Sequence, residues 1–201
     1  MKYRSILLFG APGLGKGTQG KIFGAIPHFF HCACGDVFRS LRTDSEPGRI
    51  FLAYSGRGQL VPNETTVALW RESIAKAIAA GRFHPDEDTL VLDGIPRNVE
   101  QAGRLSDSLE VAGVYYLRPV NPENLVARIQ HRAIKENRLD DANLDVIRQR
   151  LKTYEKETQP VLKFYGRRLV REINADQTPA KVLADILHIA VKSQSIPSPE
   201  G

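Results

Sequence analysis

Ser5-Ile-Leu-Leu-Phe9 runs without a break into Gly10-Ala-Pro-Gly-Leu-Gly15-Lys16-Gly17-Thr18. A short apolar run closed by glycines reads as a buried strand, and the glycines, Lys and hydroxyl residue that follow read as a loop opening a helix. Such a loop turns successive backbone N–H groups toward one point. The new helix adds the positive end of its dipole, so that point suits a phosphate. Lys16 then reaches the β- and γ-phosphates of a nucleotide, although Gly17 stands between it and Thr18, where the strict pattern has no residue. Lys2 and Arg4 ahead of an apolar run could open a secretory signal, but Gly10, Pro12, Gly13 and Gly15 argue against one.

Outward from this stretch, Phe29–Ala33, Thr89–Leu92, Val114–Leu117 and Leu169–Ile173 read as four more short strands. Helical patterns lie between them. Asn63 is expected to cap a segment running to about Ala80, Asn121 and Thr178 precede Pro122 and Pro179 at first helical positions, and Asn143–Phe164 carries apolar residues at helical spacing. Five buried strands separated by helices predict an α/β fold, a five-stranded parallel sheet with helices on both faces. The Ser/Pro-rich tail, residues 193–201, is expected to fray.

Composition narrows the function. With 201 residues, 42% hydrophobic and 25% charged, the chain suits one domain with a small insert. No apolar run approaches the roughly 18 residues of a spanning helix, so no membrane partner is expected. Two cysteines cannot build a disulfide framework, which points to the cytoplasm. The net charge of +5 comes from 28 Lys and Arg, of which 18 are Arg. Guanidinium forks suit phosphate better than solubility requires. The basic residues are dispersed rather than clustered with exposed aromatics, so no nucleic-acid partner is expected.

A second motif, Leu90-Val-Leu-Asp93-Gly94-Ile95-Pro96-Arg97, followed by Gln101, puts a carboxylate at the carboxyl end of a buried strand. Open α/β sheets bind ligands at that edge. Asp93 could there hold the water shell of Mg²⁺, and Pro96 stiffens the turn that aims Arg97.

With these motifs placed, the chain resembles the adenylate kinase-like nucleoside monophosphate kinases over nearly its whole length. Gly10–Thr18 looks like their phosphate-binding loop, and Gly35-Asp36-Val-Phe-Arg39 like the start of their monophosphate-binding insert. Glu46-x-Gly48 and Gly58-Gln59-Leu60-Val61 fall where that insert runs and ends. Asp93–Arg97 with Gln101 is similar to their most specific signature. Arg128-x-x-x-Arg132, Arg138-Leu-Asp140-Asp141, Arg150-Leu-x-x-Tyr154 and Thr158-x-Pro160 resemble their lid and the helix after it.

The resemblance implies a P-loop NTPase fold with a core of residues 1–34, 63–131 and 141–201. The helical insert is then 35–62 and the short lid 132–140, a lid type without a structural zinc. It implies Mg²⁺-dependent transfer of the ATP γ-phosphoryl group to AMP, giving two ADP, by a monomer. ATP would lie on Gly13, Leu14, Gly15, Lys16, Gly17 and Thr18, with Arg128 against its base and Arg132 on its phosphates. AMP would meet Cys34, Arg39, Gln59, Leu60, Val61, Gly94, Arg97, Gln101, Arg138 and Arg150. Lys16, Arg97, Arg132, Arg138 and Arg150 would carry catalysis, with Mg²⁺ held through water near Asp93 and Asp36, and Asp140 and Asp141 would orient the lid arginines.

Two residues bear on the acceptor base. Cys34 stands where adenylate-type relatives usually carry Thr and the uridylate/cytidylate type Ala, whereas an amide such as Gln101 suits adenine. A UMP/CMP kinase-type enzyme and a catalytically weak nucleotide-binding regulator are the competing readings. Arg150, rather than Arg148, fits the downstream Leu-x-x-Tyr spacing. His28, His31, Cys32 and Cys34 carry zinc-ligand chemistry, but small buried thiols on one face of a strand explain the two cysteines more simply.

Overall fold

A computed structural model describes residues 2–119, 121, 124–135 and 143–192. Five strands, β1 (Tyr3–Phe9), β2 (Phe29–Ala33), β3 (Thr89–Asp93), β4 (Leu109–Arg118) and β5 (Val170–Asn174), form one sheet in the order β2-β3-β1-β4-β5. All four neighbouring pairs are parallel. Ile6–Phe9 of β1 and Leu90–Leu92 of β3 are unbroken apolar runs because helices cover both faces: Ile6, Leu90, Val91 and Leu92 have no solvent contact. The chain leaves central β1 first toward β2 and β3, then crosses to β4 and β5. The carboxyl end of β1 is therefore the topological switch point where such sheets bind ligands.

β4 begins five residues earlier than the sequence suggests, at Leu109. Gly113 and a register irregularity opposite Ser5 and Ile6 break the apolar pattern there. β5 lies one residue later than expected.

The helices are α1 (Lys16–Phe23), α2 (Cys34–Arg39), α3 (Glu46–Ser55), α4 (Asn63–Ala79), α5 (Val99–Leu105), α6 (Leu125–Lys135), α7 (Leu144–Thr153), α8 (Val161–Leu169) and α9 (Pro179–Lys192). α9 opens on its proline as expected, the Val182 N–H donating to the Thr178 carbonyl at 3.0 Å. Asn63, by contrast, is the first residue of α4 rather than its cap; Pro62 takes the cap position without a side-chain bond. The Asn63 amide is thereby released for other partners.

The pattern over Asn143–Phe164 is not one helix. Between α7 and α8 lies a π-helical turn, Tyr154–Thr158, in which the Gln159 N–H reaches the Tyr154 carbonyl at 2.9 Å. A π turn absorbs an extra residue without turning the helix face away from the core, so 3.6-residue periodicity continues across it. Tyr154 and Thr158 stay buried.

α2 and α3 fall in the segment expected as an insert, and the chain returns through Gly58–Val61. Gly58 has φ 68°, and a Cβ there would stand 2.8 Å from the Val146 carbonyl oxygen of α7. Its own carbonyl accepts from Thr153 Oγ1 at 2.9 Å. The segment entering at Gly58 is thus tied to the helix that carries Arg150.

Trp70, Phe23, Ile74, Tyr115, Leu117 and Ile186 fill the layers between sheet and helices. Among the described residues, no helix is long and apolar enough to cross a membrane. Arg138, Asp140, Asp141, most of the expected lid and the 193–201 tail lie outside the described residues.

Candidate active site

At the carboxyl edge of the sheet a cavity of about 750 Å³ opens between the Gly10–Thr18 loop, α2–α3 and α6–α7. The loop owes its shape to glycines at positive φ: Gly10 at 147°, Gly13 at 86° and Gly15, which caps α1, at 84°. At Gly10 a Cβ would collide with the Leu117 carbonyl oxygen at 2.6 Å, so the loop can lie against β4 only with glycine there.

Lys16 folds back over the loop, its ammonium donating to the carbonyls of Gly10 at 2.7 Å and Ala11 at 3.1 Å. Burial brings its pKa down from 10.5 to about 8; Asp93 opposes this, and Arg132, Arg97 and Arg150 reinforce it. Lys16, Lys21, Arg39, Arg97, Arg128, Arg132 and Arg150 line the cavity, against the carboxylates of Asp36 and Asp93. That imbalance fits a strongly anionic ligand.

On the β3 side, Arg97 Nε donates to the Gly94 carbonyl at 2.8 Å. Gly94 has φ 78°, and the Ile95–Pro96 peptide between them is cis. Arg39 pairs with Asp36 one turn earlier on α2. A Cβ at Gly17 would lie 3.4 Å from Asp93 Oδ2, which puts this carboxylate against the start of α1 beside Lys16 and Thr18. Asp93 and the Thr18 hydroxyl are hard oxygen donors, fit for a Mg²⁺ that arrives with a nucleotide and keeps most of its ligands as phosphate and water. Asp36 is the weaker candidate because Arg39 engages it.

Cys34 opens α2 rather than ending β2, so it shares no strand face with Cys32. Both thiols are free and buried, and burial pushes Cys32 up to about 12 and Cys34 up to about 11. Of the expected acceptor residues, Cys34, Arg39, Gln59, Leu60, Val61, Gly94, Arg97, Gln101 and Arg150 all line the cavity. Arg148 does not; it is exposed and paired with Asp145 at 3.4 Å. Leu14 is buried under the loop and offers a ligand only its backbone.

Some lining residues have no counterpart in the sequence reading. Phe51 and Ser55, one turn apart on α3, line the cavity with Phe38, whose ring stacks on Phe51 at 5.2 Å. A smaller cavity of about 200 Å³ adjoins the outer side of the loop, lined by Gly13, Thr18, Arg128, Ala175, Gln177 and Pro179. Arg128 is anchored there by Asp176 Oδ1 at 2.9 Å. The rule that ligands sit beyond strand ends could have found Gln177, which follows β5.

A glycine-rich loop at a switch point, one lysine inside it, and guanidinium groups from α2, β3–α5, α6 and α7 define an α/β enzyme that handles nucleoside phosphates. Residues 8–170 match the family model described as adenylate kinase. The chain is 37% identical over 176 residues to an adenylate kinase of Thermobifida fusca, covering 85% of this chain and 89% of that one. An adenylate kinase of Cyanothece sp. is 36% identical over 190 residues (92% and 93%), and adenylate kinase isoenzyme 1 of Gallus gallus 32% over 187 (92% of each). The chain belongs to the adenylate kinase family of ATP:nucleoside monophosphate phosphotransferases.

The depressed Lys16 gives a pH signature. Phosphate binding selects the protonated ammonium, so ATP affinity should be steady below the free-protein pKa of about 8 and fall as pH rises through it. Titration calorimetry should show Kd for ATP weakening about tenfold from pH 7 to pH 9, with proton uptake on binding at the higher pH. A flat profile would contradict this placement of the ammonium.

Proposed function

We propose that this chain reversibly transfers the γ-phosphoryl group of ATP to AMP, giving two ADP, in a cavity that holds both nucleotides end to end. The observation that carries the reading is the single cavity lined at once by the phosphate-cradling loop, by Arg39 and Arg97 on one side, and by Arg128 and Arg132 on the other.

ATP lies on the loop with its base toward Arg128 and the Ala175–Gln177 hollow. AMP lies between α2, α3 and Gln101, its phosphate gripped by Arg39 and Arg97. The acceptor is already an oxyanion, so no general base is required, and catalysis is alignment plus neutralisation of charge. Lys16, Arg97, Arg132 and Arg150 neutralise the phosphates being exchanged, joined by Arg138 of the lid. Asp93 and the Thr18 hydroxyl would hold a Mg²⁺ accompanying ATP, which would supply positive charge to the phosphates. Residues 35–62 act as the acceptor-binding insert and 132–140 as the lid, which keeps water from the reacting phosphate on closing. We read the chain as a cytoplasmic monomer, in keeping with two free buried thiols.

A coupled assay of ADP formation from ATP with AMP, CMP, UMP and GMP in turn tests the reading. AMP should be the best acceptor; faster turnover with CMP or UMP would replace it with the pyrimidine alternative. Cys34, at the acceptor end, tunes this preference. Cys34→Thr introduces a hydroxyl able to bond the base and should raise the AMP preference about three- to tenfold, the scale of one net hydrogen bond. An unchanged acceptor profile would remove Cys34 from the base.

A further inference from the structure

We propose that Asn63 is a positioning residue that selects the acceptor base by locking the Gln101 amide in one of its two orientations. This rests on the reading above that Gln101 faces that base.

The orientation follows from fixed donors. The Arg97 backbone N–H can only donate, and the Gln101 atom facing it at 2.8 Å is therefore Oε1. Gln101 Nε2 then donates to Asn63 Oδ1 at 2.9 Å. Asn63 is oriented from two further sides. The Gln101 N–H donates to Asn98 Oδ1 at 2.8 Å, which turns Asn98 Nδ2 toward Asn63 Oδ1 at 2.9 Å. On its other side Asn63 Nδ2 donates to the Glu100 carboxylate at 2.7 Å. Flipping the Gln101 amide would set N–H against the Arg97 N–H and oxygen against Asn63 Oδ1, two repulsions in a nearly dry setting. Gln101 is 1% exposed.

Each end of this amide keeps one bonding position, a lone pair on Oε1 and one hydrogen on Nε2. For a purine seated in one pose, adenine presents a donor at position 6 and an acceptor at position 1. Guanine presents the reverse. An amide that pairs with adenine in its locked orientation must flip to pair with guanine, and Asn63 opposes the flip. The capping bonds of α5 alone would leave only the Arg97 contact against it.

The test is the ratio of kcat/KM for AMP to that for GMP in four proteins. Asn63→Ala should lower the ratio about tenfold, the upper range for one net hydrogen bond, with KM for ATP within twofold of wild type. Asn63→Asp combined with Glu100→Gln, whose amide gives the new carboxylate a donor where Glu100 would repel it, retains the oxygen that accepts from Gln101 and should restore the ratio to within threefold of wild type. Should the alanine variant misfold, Asn63→Ser, whose hydroxyl is too short to reach Gln101, takes its place. Gln101→Ala separates the two levels. If it shifts the ratio and Asn63→Ala does not, the lock is refuted while Gln101 remains at the base; if neither shifts it, both are refuted.

Discussion

Lys16→Met lowers phosphoryl transfer by about 10²-fold or more and leaves the fold intact, the scale seen when one charge-stabilising donor is lost from an active site. The ammonium lies among the Gly10 and Ala11 carbonyls and within the field of Arg132, Arg97 and Arg150. Methionine has similar length and packs in the same channel but carries no charge and donates nothing. The loop does not depend on the lysine for its shape, which Gly10, Gly13 and Gly15 set through their backbone angles.

Stability should move the other way from activity. Burial holds the Lys16 pKa at about 8, below its ordinary 10.5, so the unfolded chain binds this proton more tightly than the folded one. The wild type should therefore gain stability from this residue as pH rises from about 8 toward 10.5. Lys16→Met removes the cost of burying the charge and should melt no lower than wild type at pH 7, without that rise. Coupled assay and thermal melts across pH read both effects; turnover within threefold of wild type would contradict the role given to the ammonium.

The parts of the fold and site legible in the sequence are those encoded locally. β1 with its loop, and β3 with Asp93–Arg97, are contiguous stretches in which apolar burial, glycine and one charged residue appear in order. The amino-terminal half of β4 was hidden because Gly113 and a register shift break its pattern, and the π turn because helical periodicity runs through it. The hollow at Gln177 and the Asn63–Gln101–Asn98 cluster assemble residues far apart in the chain, Asn63 lying 38 positions from Gln101. No short-range pattern marks such a meeting, and Asn63 was more simply expected to cap a helix. Gln101 was expected at the base; its second task, completing the start of α5 through the Arg97 N–H, became visible only with the fold.

That double attachment at Arg97 sets the second large effect. Arg97→Ala should lower kcat/KM by about 10²-fold or more, comparable to loss of a transition-state donor. The guanidinium is aimed by Nε bonded to the Gly94 carbonyl at 2.8 Å, which leaves its two terminal nitrogens for phosphate. Alanine removes that fork but keeps the backbone N–H that Gln101 accepts, so the start of α5 persists and stability should fall by no more than about 1 kcal/mol. Arg97→Lys is the sharper variant. It restores a positive charge without the planar pair of donors and without the Nε anchor, so it should recover less than tenfold of the loss. If Lys restored near wild-type turnover, a point charge would suffice at this position and the bidentate grip on the acceptor phosphate would be wrong. If Ala changed KM for AMP alone and left kcat untouched, Arg97 would bind the acceptor without stabilising the transfer.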